Sequence, residues 1–228
     1  MTGGVESCVT PAMMCGFERM RVNPVHYNDD PTRGSRPFNR DREGFVLSEG
    51  SWMMVIEELE HARKRGATIY AEILGYGTTC DAYHRVAIMP DGKQSTRALR
   101  LALKDARVNE DEVEYINLHG TSTELNDRIE TLAVKQAFNS HARQIPASST
   151  KSMVGHPQGA SGALGITTTA LSLKNGFLTP TINQENPDPE CDMDYISNRG
   201  REKKIKIGIS NCISFGSKNS AIVLRRFE

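Results

Sequence analysis

The sequence predicts a layered α/β fold in which helices pack on a mixed sheet. Two observations predict it. Stretches of strand character and of helical character alternate from residue 68 to about residue 174, and two further strands close the chain after residue 204. A third observation bounds the answer: 228 residues suffice for one large domain, and no repeat with a period of about 20–50 residues divides them.

In chain order, Gly3-Gly4 reads as a turn leading into a helix over residues 9–20. The opening Met-Thr-Gly-Gly-Val-Glu-Ser lacks the basic and apolar regions of a signal peptide and reads as the middle of a domain. Residues 21–43 form a surface loop, because Asn28-Asp29-Asp30-Pro31 and Arg36-Pro37 break any helix. Residues 45–47 and 52–57 are strand material around Glu49-Gly50, and a helix over 58–65 stops at Gly66. A strand follows over 68–75. Residues 76–90 read as irregular, with Asp81 and His84 flanking a tight turn in a structural or a functional role. A helix over 95–107 turns Ala98, Leu101, Ala102 and Ala106 to one face. A strand over 113–118 ends at His119, and a helix over 127–138 turns Ile129, Leu132, Ala133 and Ala137 inward. A strand over 144–149 leads into a helix from Pro157 to about residue 174, and Asn186-Pro187-Asp188-Pro189 is a turn. Strands over 204–209 and 221–226, separated by a loop over 213–219, end the pattern.

Composition excludes several classes. Lys plus Arg and Asp plus Glu both total 28, so the net charge is zero and there is no electrostatic footprint for nucleic acid or an anionic membrane. The basic clusters at 33–42 and 199–206 are interleaved with Asp41, Glu43 and Glu202 and read as solvated loops. Five cysteines, Cys8, Cys15, Cys80, Cys191 and Cys212, give an odd count without metal-ligand spacing, which fits a reduced, cytoplasmic setting. No run of about 18 apolar residues is present.

The chain is organised around residues 148–165, which carry Lys151, His156, Pro157 and then Gly159, Gly162 and Gly165. Pro157 suits a first helical position. Three glycines cost a helix about 1 kcal/mol each, which fits a helix whose backbone must approach another element closely. Such a helix would present His156 at its N-terminal end, where the dipole disfavours imidazolium and leaves a neutral hydrogen-bond donor. His119, Lys151, His156 and Phe215 all follow expected strands, the place where open α/β sheets hold ligands. Thr121 and Thr123 either hold an amide-bearing arm or cap a helix. Asp127 and Glu130 share a helix face and either position Lys151 or simply meet the dipole. A zinc site from His119, His156 and Asp127 is an open alternative, without close histidine pairing or a cysteine cluster to support it.

Taken together, these motifs resemble the β-ketoacyl-acyl-carrier-protein synthases. They are His119-Gly-Thr-Ser-Thr, Asp127 with Glu130, Ser-Ser-Thr-Lys151-Ser-Met-Val-Gly-His156 and the Phe215 loop before Asn219. The likeness is closest to the type II condensing enzymes. It runs over essentially the whole chain, including Gly3-Gly4-Val5-Glu6, residues 41–47 and residues 191–195. It implies a thiolase-like layered fold and a decarboxylative Claisen condensation of an acyl thioester with malonyl-carrier protein, without a cofactor or metal. His119 and His156 would stabilise the developing enolate, Lys151 with Asp127 and Glu130 would organise the site, and Thr121, Thr123 and Asn219 would contact substrate. Phe215 would gate the acyl tunnel and lend its N–H to an oxyanion hole. Residues 1–66 would be a remnant of an N-terminal half, and residues 67–228 the C-terminal domain.

The resemblance also exposes departures. The family's nucleophilic cysteine precedes the Gly-Gly-x-Glu motif, so it would be absent from this chain. The glycine-rich gate reads Ser214-Phe215-Gly216-Ser217-Lys218-Asn219, and Val86 stands where a pantetheine-facing threonine is expected. These departures keep a second reading alive, a non-catalytic subunit that positions carrier protein or sets chain length. Acyl carrier protein, thioester substrates and a homo- or hetero-oligomer are the implied partners. An uncovered apolar face and poor behaviour as a monomer are expected of the chain alone.

Overall fold

The structure, a computed structural model, describes residues 1–216 and 218–228. Along the chain run β1 (Thr2–Glu6), α1 (Pro11–Arg19), β2 (Gly50–Met54), α2 (Leu59–Lys64), β3 (Ala71–Cys80), α3 (Lys93–Ala106), β4 (Tyr115–Asn117) and α4 (Glu124–Phe138). They continue as β5 (Ala147–Ser148), α5 (Lys151–Val154), α6 (Ser161–Asn175), β6 (Phe177–Leu178), β7 (Arg201–Glu202), β8 (Ile207–Ser214) and β9 (Lys218–Arg226).

A mixed five-stranded sheet in the order β3-β9-β8-β4-β5 forms the centre. β4 runs parallel to both β5 and β8, while β9 is antiparallel to β8 and β3. The alternation of side chains along a strand divides the core in two. Ile116, Ile207, Ile209, Ala221 and Val223 face Leu99, Ala102 and Leu103 of α3 and Val134, Ala137 and Phe138 of α4. Tyr115 and Leu224 face the other way, toward Leu173 of α6 with Leu178, Ile196 and Ile205. The sheet is therefore covered on both faces, the layered arrangement expected from the alternating pattern.

Several boundaries differ from expectation. Gly3-Gly4 lies within β1, which pairs antiparallel with β2, and is not a turn. Residues 45–47 form no strand; Leu47 makes a single parallel bridge to His156. β3 continues to Cys80 through residues that read as irregular, because Gly75 and Gly77 let α3 lie directly on the strand: a Cβ at either would collide with the backbone of Ala98, Ala102 or Ala106. The helix expected from Pro157 is broken. α5 ends at Gly155, a single 3₁₀ turn spans Gln158–Ala160, and α6 begins only at Ser161. Of the three glycines, Gly165 meets the close-packing expectation, since a Cβ there would lie 2.5 Å from Ser210 Oγ, whereas Gly162 has open space around it. β8 and β9 approach each other further than expected, with β8 reaching Ser214 and β9 starting at Lys218; Ser217 of the gate sequence lies outside the described residues.

Candidate active site

Two strand ends and one bridge build the site. Because β4 and β5 are parallel neighbours in register Ile116–Ala147 and Asn117–Ser148, both chains leave the sheet at the same edge. His119 follows β4 by two residues and Lys151 opens α5 just after β5. His156 is clamped separately: its N–H donates to Val46 O at 2.8 Å and its carbonyl accepts from Ser48 N at 3.1 Å. The result brings the predicted trio together. The rings of His119 and His156 stand edge to face with centroids 5.3 Å apart. Lys151 Nζ donates to the His119 carbonyl at 2.6 Å and lies 3.5 Å from His119 Nδ1. All three residues are buried.

Burial sets the protonation states. Desolvation, with Lys151 next in weight, holds both imidazoles well below the ordinary histidine range, so both are neutral at pH 7. Their tautomers follow from their partners. His156 Nδ1 accepts the Gln158 N–H at 3.1 Å, which leaves its proton on Nε2. A lysine ammonium only donates, so Nδ1 of His119 faces a donor as well. Burial also lowers the Lys151 pKa, against the opposing pull of Cys212, Glu130 and Asp127. Two neutral N–H donors beside one cation can stabilise a developing oxyanion. The helix dipole expected at His156 is replaced by a specific contact, the Gln158 N–H in the 3₁₀ turn before α6.

The acids take other partners than expected. Neither Asp127 nor Glu130 bonds Lys151; each reaches it only as a neighbouring charge. Glu130 accepts the backbone N–H of His119 and of Gly120, both at 2.7 Å, and Asn211 Nδ2 at 2.6 Å. Asp127 accepts the N–H of Phe38 at 2.8 Å and of Ser122 at 3.2 Å and lies 3.6 Å from Arg42 Nε, which also pairs with Asp188 through its Nη1. Burial pushes both carboxyls above the ordinary range. They are the scaffold of the 119–123 loop.

Thr123 caps α4, accepting the Asn126 N–H at 3.4 Å, and its hydroxyl bonds that of Thr121 at 2.9 Å. Asn219, expected to contact substrate, is fully buried, with Oδ1 accepting from Ser95 and Nδ2 donating to Asp81 Oδ1. Asp81 also accepts the Met89 N–H, and His84 Nδ1 accepts the N–H of Val86 and of Ala87, so the pair shapes its own loop. Phe215 is exposed and ends an aromatic path to the site, stacking on Phe17, which meets Phe45, which meets His156 edge-on at 5.1 Å. Asp127 is turned from the histidines toward Arg42, and no group of three or more His, Cys, Asp or Glu among the described residues is arranged to hold a metal. No helix among the described residues is long and apolar enough to cross a membrane.

Three contributors were not legible beforehand. The Gln158 N–H is backbone and has no sequence signal. Phe45 lay within a recognised motif without an assigned role. Cys212 puts its sulfur 3.7 Å from His119 Nδ1; the sole hint was its place next to the Phe215 loop.

Comparison with known proteins bears on the family and the fold. Residues 1–62 match the family model for the β-ketoacyl synthase N-terminal domain and residues 70–185 that for the C-terminal domain. The chain is 47% identical to a 3-oxoacyl-[acyl-carrier-protein] synthase 2 of Synechocystis sp., over 99% of this chain and 54% of that one. A type II polyketide ketosynthase solved with its acyl-carrier protein superposes with a TM-score of 0.96 at 36% identity, covering 98% of this chain and 55% of that one. A β-ketoacyl synthase from Burkholderia phymatum superposes at 0.93 and 37% identity, covering 100% and 54%. The chain thus spans about half the length of the relatives it matches, and its layered fold is the thiolase-like one of these ketosynthases.

Proposed function

The chain belongs to the β-ketoacyl synthase family, and from that premise we propose that it supplies the decarboxylation half of a 3-oxoacyl-[acyl-carrier-protein] synthase site. The observation that carries the proposal is the convergence of two neutral imidazoles and one lysine at a single sheet edge. A malonyl thioester carbonyl set against the two Nε2–H groups gains charge as CO₂ leaves, and the two donors stabilise the resulting enolate. Each is worth about 10²–10³-fold in rate. Lys151 holds the His119 loop and adds positive potential. The Phe215–Phe17–Phe45 path leads acyl chain toward the histidines.

In this reading the acyl-bearing thiol is not among the five cysteines. Burial and Glu6 raise the Cys8 thiol, and burial pushes Cys191 up to about 12. Burial and Glu130 outweigh the nearby Lys151 at Cys212, which stays a thiol at neutral pH. Residues 1–66 then form part of an N-terminal half and residues 67–228 the C-terminal domain. Acyl carrier protein is the partner, through its phosphopantetheine arm near Thr121 and Thr123. The setting is cytoplasmic fatty acid synthesis, in a homo- or hetero-oligomer. The solved relative with its carrier protein supports the partner. The preserved trio favours this over a non-catalytic subunit.

The test is complementation. The chain, joined to the remaining length of the Synechocystis relative, is assayed for CO₂ release from malonyl-carrier protein and for condensation. Turnover is expected, with losses of about 10²–10³-fold for His119→Ala and for His156→Ala. Turnover that survives both substitutions would overturn the proposal.

A further inference from the structure

We propose that Cys212 is a positioning residue for His119: its thiol donates to Nδ1 and, with Lys151, keeps the imidazole proton on Nε2. The inference rests on the reading of His119 as an Nε2–H donor to the developing enolate. Cys212 Sγ lies 3.7 Å from Nδ1, within reach of a sulfur hydrogen bond. Lys151 Nζ lies 3.5 Å from the same nitrogen, but its short bond, 2.6 Å, goes to the His119 carbonyl. The ammonium has no lone pair to offer, so a proton on Nδ1 would point between a cation and a thiol. An unprotonated Nδ1 instead receives both.

The thiol is suited to donate rather than attack. Burial first, then Glu130, raises its pKa against the pull of Lys151, so the S–H persists at neutral pH. Successive residues of β8 therefore reach one histidine by two routes. Asn211 holds Glu130, which holds the His119 N–H, while Cys212 meets the ring itself. The first route fixes the backbone, and the second fixes the tautomer and the ring torsion. His156 needs no such side chain because a backbone N–H performs that task.

The test is the ¹⁵N spectrum of the histidine-labelled full chain, with His119 assigned by its loss in His119→Gln. The parent shows His119 as the Nε2–H tautomer. Cys212→Ala and Cys212→Val, which both lack a donor, raise the Nδ1–H fraction of His119 several-fold. Cys212→Ser, which keeps a donor, restores the parent tautomer, and His156 stays unchanged throughout. An Nδ1–H parent, unchanged spectra in both donor-less variants, or an equal change at His156 would each overturn the assignment. The readout needs no turnover. A chain with the expected tautomers that fails in complementation would refute the proposed function and leave this inference standing.

Discussion

The β1–β2 ribbon and the β8–β9 hairpin are both antiparallel pairs, yet they live in opposite surroundings. β8 and β9 lie inside the five-stranded sheet with helices on both faces, and β8 is buried from Ile207 to Asn211. The ribbon is a two-stranded sheet of its own; one face meets Ala160 and Ala163, while Val5 and Met53 point outward and Val55 and Ile56 follow, all exposed. Pairing alone therefore says little about stability. What differs is the apolar area each pair removes from water. The site draws Cys212 and Asn211 from the buried pair, and receives from the ribbon only a carboxylate, that of Glu6, on the Gly159 N–H at 3.0 Å.

This contrast can be broken or sharpened, starting with the core. Phe138→Ala, in the α3–α4 layer against the sheet, should lower unfolding free energy by about 3–5 kcal/mol in urea titration. A loss below about 1 kcal/mol would show that the covered sheet is not the stable unit. Acid comes next. The buried imidazoles bind protons less readily folded than unfolded, so the unfolded chain takes up more protons below about pH 6.5. Their contribution is intact above that value and is lost as pH falls toward their folded pKa. The His119→Asn variant should flatten the fall below about pH 6.5.

Close packing on the second face gives smaller effects. Gly165→Ala should cost about 1–3 kcal/mol, because its methyl would meet Ser210 Oγ at 2.5 Å and Asn117 Oδ1 at 3.0 Å. Gly162→Ala, three residues earlier with open space, should stabilise by up to about 1 kcal/mol. Thermal unfolding of the two variants should move in opposite directions. Least of all, Val5→Ser with Met53→Ser should shift stability by no more than about 0.5 kcal/mol. The same pair should reduce self-association in sedimentation, and unchanged association would mean that the ribbon's outer face is not the sticky one.

Much of this was legible because hydrophobic runs announced strands, and His119 and Lys151 came directly after such runs. What was not legible followed from contacts remote in sequence. Gly77 and the threonines after it read as irregular because propensity ignores the alanines of α3 that lie on the strand. Pro157 read as a helix start because nothing local announced the 3₁₀ turn before Ser161. Helix spacing leaves Asp127 and Glu130 either to position Lys151 or to meet the dipole, and cannot show that backbone N–H groups in the 119–123 loop and the Arg42 guanidinium claim them first. Asn219 looked free for substrate because a sequence cannot show that Ser95 and Asp81 already hold it.

The parallel alignment of β4 with β5 doubles as a ruler for the chemistry. A slip of one residue would turn Tyr115 and Ile116 to the wrong layers and carry His119 away from Lys151 by a full residue step. A one-residue slip therefore cannot keep both apolar layers filled, so selection for a well-filled interior also guards the distance between the imidazole and the ammonium against that slip.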